Sequence, residues 1–221
     1  MENIITIDGP SGVGKGTVSL KIAEYLRWHI LDSGALYRVL ALVAKRNQVD
    51  MDDEIKLIEL ATKLDIQFIP LVNKLQIIYA GQDIAVEIRD ETYGKMASKI
   101  AVKPEIRKAL LARQRAFYTS PGLVADGRDM GTIVFPKAKY KFFLIASCEE
   151  RALRRYKQLI NIGIYVKLSE LAVEIASRDQ RDSTRTTAPL IAASDALTID
   201  TTKLSIEEVV ERILKNISKR A

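Results

Sequence analysis

Two hydrophobic periods alternate along the chain. Ile4 to Ile7 is a short β-branched run that stops at Asp8 before a glycine-rich stretch, and from Thr17 to Trp28 the apolar positions Val18, Ile22, Ala23 and Leu26 fall on one helical face. Strand, loop and helix are predicted in that order. His29 to Leu31 reads as a short buried strand, and Ala35 to Arg46 and Asp53 to Leu64 as helices, the second with Leu57, Ile58, Ala61 and Leu64 at helical spacing. Between Asp65 and Ile88 the period falls to that of strands: Ile66 and Phe68 flank Gln67, Asn73-Lys74 suggests a hairpin turn, and Leu75 to Tyr79 and Ile84 to Ile88 are strand-like. This stretch is predicted to be a small antiparallel insertion.

Helices are predicted over Arg89 to Ala101 and Pro104 to Thr119, the second with proline at its first turn. Leu123 to Ala125, Lys141 to Ala146 and Ala196 to Ile199 are further core strands, and Glu149 to Ile160, Ser169 to Arg181 and Ser205 to Lys219 further helices. The last opens on Ser205-Ile-Glu-Glu208, a capping box. Apolar strands with helices between them imply a doubly wound α/β fold, a parallel sheet of about five strands flanked by helices, with ligands beyond the carboxyl ends of the strands. No linker divides the chain, so residues 1–221 are expected to form one unit.

Composition narrows the chemistry. With 221 residues, 48% apolar and 28% charged, disordered and collagen-like classes drop out. The single cysteine, Cys148, and the single histidine, His29, leave disulfides, zinc cages and Cys-His or Ser-His-Asp catalysis poorly supported, and both are expected to be structural, His29 within a buried strand. The chemistry must run on Lys, Arg, Asp and Ser/Thr. A net charge of +6 favours an anionic partner. Met1-Glu2-Asn3 has no basic leader and no run approaches the ~18 apolar residues of a membrane span, so a cytoplasmic location with no membrane partner is expected.

Gly9-Pro10-Ser11-Gly12-Val13-Gly14-Lys15-Gly16-Thr17 fits the phosphate-loop pattern GxxxxGK between a predicted strand and helix, which makes the expected α/β fold one of the P-loop NTPase type. Glycines let the backbone N–H groups curl toward phosphate, the helix N-terminus adds its dipole, and Lys15 reaches the β- and γ-phosphates. Gly16 stands where a hydroxyl is common and Thr17 follows. Thr17 and Asp126, at the end of an apolar strand, are therefore the candidates for Mg²⁺, directly or through water.

Leu31-Asp-Ser-Gly-Ala-Leu-Tyr-Arg38, Ala125-Asp-Gly-Arg-Asp-Met-Gly-Thr132 and Ser177-Arg-Asp-Gln-Arg-Asp-Ser-Thr-Arg185, closed by Ala188-Pro-Leu190, resemble the segments of the bacterial cytidylate kinases, nucleoside monophosphate kinases that phosphorylate CMP and dCMP. The resemblance runs from Ile4 to beyond Leu190. It implies phosphoryl transfer from ATP with Mg²⁺, and places Ser98, Arg107 and Asp129 on the cytosine. A carboxylate accepts from the N4 amine, where uracil would present a second acceptor. It further implies that Arg38, Arg128 and Arg185, with Ser33, hold the CMP phosphate, and Arg178 and Asp182 the sugar. Lys15, Asp126, Arg128 and Arg185 are the expected catalytic set.

By the same resemblance, residues 65–101 are the approximate CMP-binding insertion, moving as a unit, and 151–170 the approximate lid over ATP, where Arg151 and Arg155 would meet phosphates. Helix-surface pairing of those two arginines with Glu is the competing reading. A monomer acting on small molecules is expected. Thr62-Lys-Leu-Asp65 matches a guanine-recognition pattern of GTPases, but lies too close to the loop and lacks a DxxG element between. A nucleic-acid role fits the charge but not the 6% aromatic content. Other P-loop small-molecule kinases would share the loop and fold.

Overall fold

The computed structural model describes residues 3–161 and 163–220. Met1 and Glu2, which enter the reading of the N-terminus, and Ile162, inside the expected lid, lie outside them. Strands β1 (Ile4–Asp8), β2 (His29–Asp32), β6 (Leu123–Gly127), β7 (Tyr140–Ile145) and β8 (Leu197–Asp200) form a five-stranded sheet in the order β2-β6-β1-β7-β8, every pair parallel. β1 lies at its centre with all its residues buried, Thr6 and Asp8 included, as expected of a strand covered on both faces. The chain leaves β1 toward β2 on one side and returns through β6 to reach β7 on the other. The carboxyl ends of β1, β6 and β7 therefore flank the switch point at which such sheets bind ligands.

α1 (Lys15–Leu26) follows β1 directly. α2 (Ser33–Arg46) starts two residues before the predicted Ala35 because the Asp32 side chain accepts from Ala35 N at 2.8 Å and caps it. Most of α2 is buried, since α3 (Glu54–Thr62) and α4 (Glu91–Ile100) also pack against it. α5 (Pro104–Arg115) packs on α3, and α6 (Cys148–Asn161) and α7 (Leu168–Thr184) form a helical pair. α8 (Ile206–Arg220) begins at the predicted capping box, with Ser205 Oγ accepting from Glu208 N and the Glu208 carboxylate from Ser205 N.

The insertion differs from the prediction in two places. β3 (Ile66–Leu71) and β4 (Lys74–Tyr79) pair antiparallel, and their register puts Val72 and Asn73 in the turn, one residue earlier than predicted, with Asn73 at φ 55°. Ile84 to Ile88 is not a strand. β5 is only Gln82–Asp83, and the Asp83 carboxylate then accepts from Ala85 N at 3.0 Å, turning the chain into a 3₁₀ turn at Glu87–Arg89. The hairpin tip is tied to the main body, Glu24 of α1 accepting from Asn73 N at 2.9 Å. His29 is exposed rather than buried, as the first residue of the edge strand, and its Nε2 shares a hydrogen bond with Ser120 O.

Candidate active site

The phosphate loop springs from the central strand where space is least. A Cβ on Gly9, at φ 148°, would stand 2.2 Å from the carbonyl oxygen of Leu144 on β7. Only glycine lets the chain pass there. Gly14, at φ 95°, precedes α1 and offers no side-chain cap, so the first-turn N–H groups and the positive end of the helix dipole are left for a ligand. The loop's carbonyls face protein donors instead: Lys15 Nζ donates to Pro10 O at 2.8 Å, Arg151 to Ser11 O at 3.1 Å, and Arg154 and the Thr201 hydroxyl to Val13 O. These bonds hold the curl from outside.

Lys15 is buried, and burial together with the nearby Arg128 charge lowers its pKa to about 7, against the opposing pull of Asp126 and Asp8. Asp126, next to last in β6, has its carboxylate buried, which raises its pKa to about 7 although Lys15 pulls the other way. Its Oδ2 lies 3.5 Å from where a Cβ on Gly16 would be, bringing it to the same corner as the start of α1, where Thr17 is exposed. No cluster of three or more His, Cys, Asp or Glu able to hold a metal occurs among the described residues. One buried carboxylate and one hydroxyl beside a phosphate loop nonetheless fit Mg²⁺, which keeps several waters and shares substrate phosphates.

Near the loop the structure gathers arginines from three places, α2, the turn after β6, and α7 with its C-cap. Arg128 Nε lies 3.0 Å from the Asp182 carboxylate. Arg178 is held down to about 10 by burial and by Arg128, and its Nε is buried without a hydrogen-bond partner. Arg185 donates through Nε to Ala188 O and leaves one terminal nitrogen buried and unpartnered. Arg38 donates to Ile88 O at 2.8 Å and Asp90 O at 3.2 Å. Burial outweighs the nearby carboxylates in lowering the pKa of Arg38 and Arg185. Crowded guanidiniums with unused buried donors on Arg178 and Arg185 have the chemistry to take an anion.

Beside them Arg107 and Asp129 make an ion pair at 2.5 Å with both side chains buried, and Arg107 also donates to Ala101 O. Ser98 is near in sequence but its hydroxyl donates within its own helix, to Gly94 O at 3.0 Å. Ser33 opens α2, where its Oγ accepts from Gln114 Nε2 at 2.9 Å.

Arg151 corrects the expectation for the lid. It is buried under the loop, bonded to Ser11 O and Ala146 O and paired with Asp179 at 2.6 Å, so its guanidinium braces the loop and does not face open phosphate space. Arg155 pairs with Glu91 of α4 at 2.8 Å, the Glu pairing that competed with phosphate for it, though with a partner distant in sequence. Asp65 of the GTPase-like pattern pairs with Arg113.

Two site residues were not singled out from the sequence. Tyr37 on α2 has its hydroxyl buried without a partner, stacks under Arg107 at 5.7 Å, and is raised to about 12 by burial. Asp8, at the end of β1, accepts from Met130 N and Gly131 N. The only local signal for either was an unexplained polar group, Tyr37 between Ser33 and Arg38 and Asp8 closing an apolar strand.

A family model described as cytidylate kinase matches residues 5–219. The chain is 55% identical over 216 residues to the cytidylate kinase of Proteus mirabilis (strain HI4320), covering 98% of this chain and 96% of that one. It is 56% identical over 211 residues to that of Serratia proteamaculans (strain 568), covering 96% and 92%. A crystal structure of a gluconokinase from Sinorhizobium meliloti 1021 aligns at 17% identity with a TM-score of 0.49, over 99% of this chain and 92% of that one.

Proposed function

Because this chain belongs to the cytidylate kinase family, we propose that it transfers the γ-phosphoryl group of ATP to CMP and dCMP, giving ADP and CDP or dCDP. One observation carries the reading. The charges of Arg128 and Arg178 reach the buried Lys15 and help lower it, so the cation of the phosphate loop and the arginine cluster share one neighbourhood. That neighbourhood supports two adjoining anion sites at the carboxyl ends of the central strands, as bringing a phosphate oxygen to a γ-phosphorus requires.

The roles follow. The loop from Gly9 to Gly14 and the start of α1 hold the ATP phosphates, with Lys15 on the β- and γ-phosphates and Arg155 reaching them from α6. Arg38, Arg128, Arg185 and Ser33 hold the CMP phosphate, Arg178 and Asp182 the sugar, and Asp129 accepts from the cytosine N4 amine while Arg107 fixes its carboxylate. Ser98 reaches the base once its hydroxyl leaves its own helix. As the phosphoryl group moves, Arg128 and Arg185 neutralise charge on it and Lys15 follows the bridging oxygen. No protein base is needed, since a phosphate oxygen is already an anionic nucleophile. Mg²⁺, held with the nucleotide by Asp126 and Thr17, directly or through water, would supply further neutralisation of the β- and γ-phosphates.

The insertion and the segment after β7 close over the substrates and exclude water, which suppresses ATP hydrolysis. The reading includes a cytoplasmic monomer; no described helix is long and apolar enough to cross a membrane.

The test is ADP release in a coupled assay with Mg-ATP and CMP, dCMP, UMP, AMP, GMP or shikimate. Turnover with CMP and dCMP far above the rest is expected. Activity confined to another acceptor would remove the cytosine site from the reading.

A further inference from the structure

Asp8 is a buried carboxylate that the mechanism above does not use. Its Oδ1 accepts from Met130 N at 2.8 Å and its Oδ2 from Gly131 N at 2.7 Å. Those are the first two N–H groups of the π-helical turn Met130–Val134, whose cap position is Asp129. Aspartate is among the preferred cap residues because its own carboxylate can take such N–H groups. Asp129 makes no such bond. Its carboxylate points instead at Arg107, 2.5 Å away.

The two aspartates have divided the work. A carboxylate from the end of β1 satisfies the turn, and the residue that would ordinarily do so is released to face the base site. Space at the turn is matched to this arrangement: a Cβ on Gly131 would stand 2.9 Å from Thr6 Oγ1 and 3.3 Å from Asp8 Oδ2. The register of the sheet sets Asp8 beside Gly127, so the strand that launches the phosphate loop also holds the segment from Arg128 to Asp129 in place.

We propose that Asp8 is a positioning residue for cytosine selection, acting through Asp129: by capping the Met130–Val134 turn in its stead, it keeps the Asp129 carboxylate on Arg107 and available to the N4 amine. The inference rests on the CMP-kinase reading. Without the Asp8 carboxylate, the free N–H groups at 130 and 131 draw Asp129 back to its own turn, and the base reader is lost.

The test compares kcat/KM for CMP and for UMP in the wild type, Asp8→Asn, Asp129→Asn and the double variant. An asparagine at position 8 offers one acceptor and places an amide against the second N–H. Loss of charge beside Lys15 would lower turnover with both acceptors alike, so the acceptor ratio is the informative readout.

Asp8→Asn is expected to lower the CMP/UMP ratio by about tenfold or more, and to have no further effect on that ratio in the Asp129→Asn background, because residues acting as one unit are non-additive. A ratio within about twofold of wild type in Asp8→Asn, or independent effects in the double variant, would overturn the proposal. If Asp8→Asn does not fold, Gly131→Ala disturbs the same cap from the other side and is expected to shift the ratio the same way. Failure of both to fold would make Asp8 purely structural and overturn the proposal. A wild type without selective CMP turnover would instead bring down the kinase reading, and this inference with it.

Discussion

Arg155 on α6 and Glu91 at the start of α4 meet at 2.8 Å, joining the segment expected to close over ATP to the segment expected to hold CMP. The charge of Glu91 also reaches Arg38 and Arg178. A carboxylate thus sits among arginines that would otherwise wait for phosphate. Both partners are about a third exposed, 33% and 39%, so the pair itself is worth no more than about 0–1 kcal/mol.

Glu91→Gln should therefore lower the melting temperature by no more than about 4 °C. ATP saturation curves separate the two partners. Arg155→Ala is expected to raise the KM for ATP several-fold, whereas Glu91→Gln leaves it unchanged or lowers it, because Arg155 is then freed. A wild-type KM in Arg155→Ala would take that residue out of the ATP site.

Lys15→Met should separate stability from activity. Lys15 carries a pKa lowered from 10.5 to about 7, chiefly by burial, so the folded protein binds fewer protons there than the unfolded chain between those values. The cost of the buried cation is full below pH 7 and fades as pH rises toward 10.5. The nucleotide-free variant should melt at or above the wild-type temperature at pH 6.5, with that advantage shrinking by pH 9, while kcat falls by about 10²-fold or more. Calorimetry at the two pH values and the coupled assay check each half; near-normal turnover would remove Lys15 from the mechanism.

Breaking the pair between Arg107 and Asp129 from either side leaves a buried charge alone. Arg107→Met is expected to destabilise by about 3–5 kcal/mol, since the Asp129 carboxylate then lacks its partner. Asp129→Asn, which keeps the shape and an acceptor, should cost less in stability and more in acceptor choice. Denaturant unfolding and the kcat/KM for CMP against UMP measure the two. Equal loss with CMP and UMP in Asp129→Asn would show that the carboxylate does not read the base.

Gly9→Ala tests whether the loop path is fixed by sterics alone. The new Cβ would meet the Leu144 carbonyl oxygen at 2.2 Å, a backbone atom in the central sheet that has no rotamer to yield. Loss of more than about 3 kcal/mol is expected, with the variant poorly soluble or melting well below wild type. Gly81→Ala is the control, since nothing lies within 4 Å of its added Cβ. Its cost should be confined to the strain of φ 78°.

The features read correctly from the sequence are those set by neighbours in the chain. Ile4 to Ile7, the glycine loop and Val18 to Leu26 are periodic over a few residues, and Ser205 with Glu208 closes its capping box within one turn, so local pattern was sufficient for each. Ile84 to Ile88 misled because its apolar residues also suit a turn, and the Asp83 carboxylate that bends the chain there acts on N–H groups at Ala85 and Ile77 that no period reveals.

What lay outside reach of the sequence is what required two distant segments to meet. Arg151 looked like a ligand for ATP because it opens the expected lid, four residues before Arg155; only the packing of α6 under the loop turns it to Ser11 O and Asp179. The residue type at Asp129 was legible and its resemblance named a role, yet the freedom of its carboxylate depends on Asp8, whose bonds to Met130 and Gly131 span 122 and 123 residues. By itself the sequence determined the parallel α/β order, the phosphate loop and the store of arginines, because these depend on local period and residue chemistry. The tertiary structure alone decided which arginines brace the protein and which are left with open donors, because hydrogen-bond satisfaction is settled only when all the partners are in place.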